Sequence, residues 1–338
     1  MTAMMKAVRL HEFGGPEVLL YEDAPRPEIA TDEVLVRVHA TSLNPPDLYL
    51  RDGYRGLPPE WQPSPTFPLI LGTDVSGVVA AVGASVTGFE VGDDVYAMVR
   101  FPQDLMTGSG AYADYVRVSA SELALKPSRI DHVHAAGAPM SLLTAWQFLV
   151  DLGHDAPNPF QSLAHTSMPL NGKSVLVNGA GGGVGHLAVQ IAKWQGSRVI
   201  AVASGKHGAL LTDLGADTVI DYTKVAAETV AKDVDLVLDA VGGAHMERFL
   251  PSIKPGGGLY LVNPLGFAGH DDAAKRQITV STTQVRSNGA QLAQAGRLLE
   301  DGTVRVAIDS TYPMAEASVA HRRASERSIQ GKIVLITA

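Results

Sequence analysis

The sequence contains no cysteine. That removes disulfides, a cysteine-ligated zinc and a thiolate nucleophile from consideration. Positive charge is also scarce: 27 Lys and Arg stand against 35 Asp and Glu, a formal net charge of -8. Nucleic-acid binding wants clustered Lys and Arg, so no nucleic-acid partner is expected. No uninterrupted run of about 18 apolar residues occurs, so no membrane span is expected. Met1–Lys6 runs straight into an alternating segment without the apolar stretch of a signal peptide, and the expected location is cytoplasmic. The histidines are scattered, with no pair at ligand spacing beside an acid, so no metal is expected. Internal repeats and low-complexity tracts are likewise missing.

What is present suits two globular domains: 338 residues, 46% hydrophobic and 18% charged. The chain is organised around Ser174–Lys193. Val175, Leu176 and Val177 form a short apolar run of strand type. Ala180, Gly182 and Gly185 then occupy the three positions of a G-x-G-x-x-G pattern, with Gly183 and Val184 between the last two. Leu187, Ala188, Ile191 and Ala192 recur at helical spacing. In such a strand–turn–helix the first small residue lets the strand turn tightly. The second lets backbone approach a pyrophosphate, and the third lets helix and strand pack closely. The helix start adds free N–H groups and the positive end of its dipole. A dinucleotide site is expected here.

Before this stretch, alternating segments at Met5–Leu10, Glu33–His39, Val75–Val82, Asp94–Val99 and Tyr112–Val118 predict a β-rich, barrel-like domain. Residues 41–54 read as a polar site loop, with Pro45 and Pro46 at a helix entry and Asp47 as its cap. Residues 55–68 read as an irregular surface loop. Residues 136–150 have helical spacing. Residues 154–171 hold Pro157, Pro159 and Pro169 and read as an insertion, either a solvated excursion or a lid. From Arg198 onward strands and helices alternate, which predicts a parallel sheet with helices on both faces. Strands are expected at 198–203, 218–221, 234–239, 259–262 and 278–285, and helices at 208–214, 224–231, 244–250 and 291–300. Val304–Ile308 and Ile333–Ile336 regain β character. The predicted domains are 1–124 with 303–338 returning to it, and 125–302.

An acid about 20 residues past the glycines would bind the adenosine ribose and repel a 2′-phosphate. Ala203–His207 stands there without one. Ser204 can donate to a phosphate and Lys206 can neutralise it, which favours NADPH; the alternative for Lys206 is a solvated turn residue. Val241 and Gly242 end the strand Val234–Asp239 and are placed to border a nicotinamide, as is Asn263 after the next strand.

These motifs resemble the zinc-independent quinone oxidoreductase branch of the medium-chain dehydrogenase/reductase superfamily. The carriers are Lys6–Leu10, Gly14–Leu19, Ser42–Asp47, Gly72–Val79, Thr144–Gln147, Asn178–Gly185 and Gly331–Leu335. The resemblance implies an α/β architecture: a Rossmann doubly wound parallel sheet plus a GroES-like β-rich catalytic domain formed by both chain ends. It also implies a homodimer. Zinc-using relatives carry a Cys near Asn44 and a Gly-His-Glu where Gly72, Thr73 and Asp74 stand; both are missing. It implies catalytic roles for Asn44 and Tyr54, a nicotinamide contact at Thr144, adenosine contacts at Ser204, Lys206 and Tyr222, and a cofactor contact at Lys332. The expected reaction is metal-free hydride transfer from NADPH to a quinone or an α,β-unsaturated carbonyl. Asn44 or backbone N–H groups would hold the carbonyl, and Tyr54 would orient substrate or deliver a proton. Two alternatives stand beside it. One is an enoyl-thioester or polyketide enoyl reductase, with Arg322, Arg323 and Arg327 as weak carrier contacts. The other is a non-catalytic NADPH-binding protein.

Overall fold

Period-two alternation at the two chain ends builds one body, and apolar strands between glycine turns build another. The computed structural model describes residues 3–99, 101, 109–156, 165–326 and 329–337. The chain divides into two units. The first comprises Met1–Leu143, Arg286–Asp301 and Val306–Ala338; the second comprises Thr144–Val285 and Gly302–Arg305. The sequence drew its first boundary near 125. The divide falls later because Asp131 caps the helix His132–Ala136, whose Ala136 packs with Ala40 and Val334 of the first unit.

The first unit contains β1 (Met4–Leu10), β2 (Leu20–Pro25), β3 (Glu33–Ser42), β4 (Leu69–Ile70), β5 (Asp74–Val82), β6 (Asp94–Met98), β7 (Tyr115–Ser119) and β8 (Leu123–Leu125). Antiparallel β1 pairs with both β2 and β4. A larger sheet is centred on β3, where the alternation is cleanest. Val34, Val36 and Val38 enter the core with Val79, Val95 and Val116. The helix Pro45–Arg51 leaves β3 directly, and the short turn Pro59–Trp61 is the one regular piece between residues 55 and 68.

The second unit contains β9 (Ser174–Asn178), β10 (Arg198–Ala203), β11 (Thr218–Asp221), β12 (Val234–Asp239), β13 (Ile253–Leu261) and β14 (Thr279–Ser281). All pairings are parallel, in the order β11-β10-β9-β12-β13-β14. This is the doubly wound sheet that the alternating elements predict. β9 is buried on both faces, as a central parallel strand must be. The chain returns to the first unit as β15 (Ile308–Pro313) and β16 (Lys332–Ile336), with β16 antiparallel to β3.

Several elements differ from the sequence expectation. The segment expected as a helix at 244–250 forms 3-10 turns over Met246–Ser252, because Pro251 cannot continue an α-helical ladder. Pro255-Gly-Gly-Gly258 lies inside β13, which therefore begins six residues before the strand expected at 259–262 and pairs with β12 across a register shift. The last strand of this sheet is confined to Thr279–Ser281, and the helix expected at 224–231 to Ala227–Val230. The strand expected at 304–308 begins only at Ile308. Residues 157–164 of the insertion lie outside the described residues, as does Arg327. The described end of the insertion is tied down in part, although Thr166, Pro169 and Asn171 are exposed. His165 is buried, with Nδ1 2.8 Å from Ser281 Oγ and Nε2 2.9 Å from the Phe148 carbonyl. The Tyr260 hydroxyl accepts from the Met168 N–H at 3.0 Å and donates to the Thr166 carbonyl at 3.0 Å.

The glycine-rich turn closes as its pattern requires. The Gly179 and Ala180 N–H groups both donate to the Val202 carbonyl, at 3.1 and 3.0 Å. A Cβ on Gly185 would sit 2.1 Å from the Gly179 carbonyl oxygen, so only glycine lets the helix Gly183–Trp194 approach β9 this closely. A Cβ on Gly182 would meet nothing nearer than 3.4 Å. Gly185→Ala is therefore expected to lower stability by about 1–3 kcal/mol through overpacking, with a smaller loss for Gly182→Ala. Urea denaturation of both variants checks this; equal midpoints for Gly185→Ala and the wild type would refute the close approach.

Candidate active site

Two groups of the sequence-selected residues come together, one in each unit. In the second unit they gather beyond the carboxyl ends of β9, β10, β12 and β13. Asp239 closes β12 and organises the turn after it. Its Oδ1 accepts from Asn178 Nδ2 at 2.8 Å, from the Val241 N–H at 2.9 Å and from the Gly242 N–H at 3.2 Å. This arrangement leaves Val241 58% exposed and brings it against the glycine-rich turn, where a Cβ on Gly179 would lie 2.7 Å from Val241 Cγ2. Gly242 has φ +68° and abuts Asn263. The glycine-rich turn, Val241, Gly242 and Asn263 are thus neighbours, with Ala180 buried beneath the turn. Gly183, Val184 and Gly185 open the helix Gly183–Trp194, whose first N–H groups have no partner within the helix. A Cβ on Gly182 would touch only the Gly179 carbonyl oxygen, at 3.4 Å, and this uncrowded residue with the helix start behind it fits a dinucleotide pyrophosphate. Ser204, Lys206 and the exposed Tyr222 follow the ends of β10 and β11. Thr144 is buried in the helix Pro139–Leu149.

In the first unit the structure draws together residues that lie far apart in the sequence. Lys332, at the start of β16, is 3% exposed. Its ammonium donates to Asn44 Oδ1, and lies 3.5 Å from Asp74 Oδ2 and 3.4 Å from Ser141 Oγ. Asn44 Nδ2 donates to Asp74 Oδ2 at 2.8 Å and to Thr73 Oγ1 at 3.1 Å. Asp74 also accepts from Ser42 Oγ at 2.7 Å and from the Met140 N–H at 2.8 Å. Asp47 accepts the Asn44 N–H at 2.9 Å, the capping bond expected of it, and the Gly72 N–H at 3.0 Å.

Both N–H groups of the Asn44 amide, and its oxygen, are therefore committed inside the network. In this arrangement the amide has no free donor for a substrate carbonyl, the role expected of it. The Lys332 ammonium is likewise directed at Asn44, Asp74 and Ser141.

Burial pushes the Asp47 carboxyl up to about 7, and the Asp74 charge adds to the rise against the two backbone N–H bonds. Burial also lowers the Lys332 ammonium, with Asp74 opposing.

Tyr54 stands at the other end of the helix Pro45–Arg51. It has φ +52°, directly after Gly53 at +81°. A tyrosine rarely adopts this left-handed conformation. Here the Tyr54 N–H donates to the Tyr49 carbonyl at 2.7 Å and to Asp52 Oδ1 at 3.1 Å. Burial raises the Tyr54 phenol well above its ordinary value, with the Asp47 charge contributing, so it keeps its proton at neutral pH. Among the described residues its hydroxyl has no hydrogen-bond partner.

A second buried chain, missed from the sequence, anchors the helix end. Arg51 Nη1 lies 3.1 Å from His321 Nδ1, and the Tyr112 hydroxyl lies 3.2 Å from His321 Nε2. Burial and then the Arg51 charge push the His321 imidazole down to about 3, so it is neutral. No local pattern marks it: His321 and Arg51 are 270 positions apart.

Two family models match the chain. The alcohol dehydrogenase GroES-like domain matches residues 30–128, and the zinc-binding dehydrogenase model matches residues 214–335. The chain is 32% identical to the mouse (Mus musculus) NAD(P)H oxidoreductase RTN4IP1, mitochondrial, over 99% of its own length and 89% of the relative's. It is 34% identical to the NADPH-dependent alkenal/one oxidoreductase, chloroplastic, of Arabidopsis thaliana, over 98% of its length and 79% of the relative's. Among solved structures, the quinone oxidoreductase from Coxiella burnetii superposes with a TM-score of 0.84 at 29% identity, covering 99% of this chain and 100% of that one.

Among the described residues, the zinc in the second family's description finds no fitting donor set. Both Asp74 oxygens are already engaged by Ser42, Asn44 and the Met140 N–H. Among the described residues, no three His, Asp or Glu side chains group so as to hold a metal.

The raised Asp47 carboxyl has a consequence for pH. Unfolded, Asp47 releases its proton near 3.8; folded, it does so near 7. Folding therefore takes up a proton between these values. The stability this group contributes is full below the lower value and is lost as pH rises through the higher one. Asp47→Asn removes the titration. Urea midpoints measured from pH 4 to 8 should fall less steeply with rising pH in Asp47→Asn than in the wild type; parallel curves would contradict the shift.

Proposed function

Since the chain belongs to the medium-chain dehydrogenase/reductase superfamily, we propose that it is an NADPH-dependent reductase of quinones or α,β-unsaturated carbonyls that works without a metal. The observation that carries this reading is Tyr54: a half-buried phenol, kept protonated, whose hydroxyl has no partner among the described residues, on a backbone conformation that costs energy to hold. The names of the Arabidopsis and Coxiella relatives support the substrate class. Ser204, Lys206 and the lack of an acid at the end of β10 support NADPH.

When bound, the dinucleotide would supply the hydride. Its pyrophosphate would rest on the N–H groups around Gly182–Gly185, with its nicotinamide near Val241, Gly242, Asn263 and Thr144. The remaining chemistry falls to this chain's side chains. Hydride arriving at the β-carbon of an enone leaves charge on the carbonyl oxygen, as an enolate. Hydrogen-bond donors can stabilise that charge without a Lewis acid. The Tyr54 Oη–H is such a donor, and it is also a proton source for the α-carbon, directly or through water. Backbone N–H groups share the load on the oxygen. Asn44 and Lys332 act as positioning residues, fixing the start of the helix Pro45–Arg51, which Tyr54 follows. A quinone is reduced with less demand, since hydride addition gives a hydroquinone monoanion that can take its one remaining proton from solvent.

NADPH oxidation should be measured with 1,2- and 1,4-quinones and with simple enones as acceptors. Tyr54→Phe is expected to lower kcat on enones by roughly 10²-fold or more, with a smaller loss on quinones and an unchanged melting curve. EDTA should leave the rates unaltered. Full activity of Tyr54→Phe on every acceptor would remove its assigned role, and a requirement for added zinc would defeat the metal-free reading.

A further inference from the structure

The adenosine end of the proposed dinucleotide site carries a carboxylate that β10 alone does not reveal. Asp221 ends β11 and pairs in register with Ala203, the last residue of β10. It stands one strand over, at the level of the sheet where an acid would contact the adenosine ribose. Its carboxylate enters the turn that follows β10. A Cβ built on Gly205 would lie 2.3 Å from Asp221 Oδ2, and the Gly205 N–H donates to this carboxylate. The other oxygen accepts from the Thr223 N–H at 3.0 Å and from the Thr223 hydroxyl at 2.6 Å. Lys224 Nζ lies 3.7 Å from Oδ2, but its side chain is 80% exposed.

Two consequences bear on ligand choice. Backbone N–H groups in glycine-containing turns are donors that phosphates use, and the one at Gly205 is occupied by a carboxylate. The Thr223 hydroxyl, chiefly, holds the Asp221 carboxyl below its ordinary range, so it is charged at neutral pH. A fixed negative charge then shares one short turn with Ser204 and Lys206, the groups expected to take a 2′-phosphate. A like charge opposes the phosphate, and the opposition is modest because the turn is solvated.

On the reading that the cofactor is NADPH, we infer that Asp221 is a specificity-determining residue: its carboxylate occupies the Gly205 N–H and weakens the hold on a 2′-phosphate. The site therefore discriminates less between NADPH and NADH than Ser204 and Lys206 alone would make it.

The test is equilibrium binding to the full chain, by calorimetry for 2′,5′-ADP and 5′-AMP and by fluorescence for NADPH and NADH. Asp221→Asn is expected to tighten 2′,5′-ADP and NADPH by roughly fivefold, the size of one charge interaction across solvent. The Kd values of 5′-AMP and NADH should change less than twofold, and the gain should shrink in 0.5 M salt. Thr223→Val removes a donor to the same carboxylate without changing charge, and should leave the NADPH/NADH ratio within twofold. The inference is overturned if Asp221→Asn shifts both nucleotides equally or neither. It is also overturned if Thr223→Val reproduces the shift, which would assign the effect to the shape of the turn. Wild-type protein that binds NADH more tightly than NADPH would defeat the NADPH reading, while the change of ratio in Asp221→Asn would still decide the role of this residue. Wild-type protein that binds neither nucleotide would defeat both.

Discussion

One ammonium and two carboxylates share a space with almost no water, and much of the first unit depends on how they are satisfied. Lys332 neutralises one carboxylate, and backbone N–H groups hold the other. Charges buried this way persist only when partners meet all their bonding capacity, and removing one partner typically costs about 3–5 kcal/mol. Asp74 is met by a hydroxyl, an amide, a backbone N–H and the ammonium. The sheet makes this possible. β16 runs antiparallel to β3 with Val334 opposite Ser42, and Lys332 starts the same strand.

The network passes its rigidity to Tyr54 through one short helix. Asn44 precedes that helix with its amide locked on both sides, and Asp47 ties the first turn to Gly72. At the other end Arg51 is held by His321, by the Gly14 carbonyl and by the Gly14 N–H donating to its own carbonyl. A left-handed tyrosine costs of order 1–3 kcal/mol and persists only where the surroundings over-determine it. These anchors are that over-determination.

The glycine-rich turn, the parallel sheet and the returning tail were legible because each is written in local pattern: small residues at fixed offsets, strand and helix periods in alternation, and β character resuming near the end. The site was legible only in part. Asn44 and Tyr54 could be named from their motif, but not the commitment of the Asn44 amide. Its partner Lys332 is 288 positions away, and no periodicity connects them. Asp221 was missed for a different reason. Searching along β10 for an acid ignores the neighbouring strand, whose register places Asp221 beside Ala203. The 3-10 turns at Met246–Ser252 show helical spacing overruled by a proline.

The distance between Asp74 and Lys332 also orders events in time. A chain is made from its N-terminus at about 5–20 residues per second. The 258 positions between these two residues therefore correspond to roughly ten to fifty seconds of synthesis. Throughout that interval, β3, β5 and the helix after β3 exist without the ammonium that their buried carboxylate needs. The N-terminal unit is thus a fold that waits on a residue made 258 positions after its buried carboxylate. A nascent chain halted before residue 332 holds its apolar strands and an uncompensated interior charge together, the state in which binding to a chaperone competes best with folding.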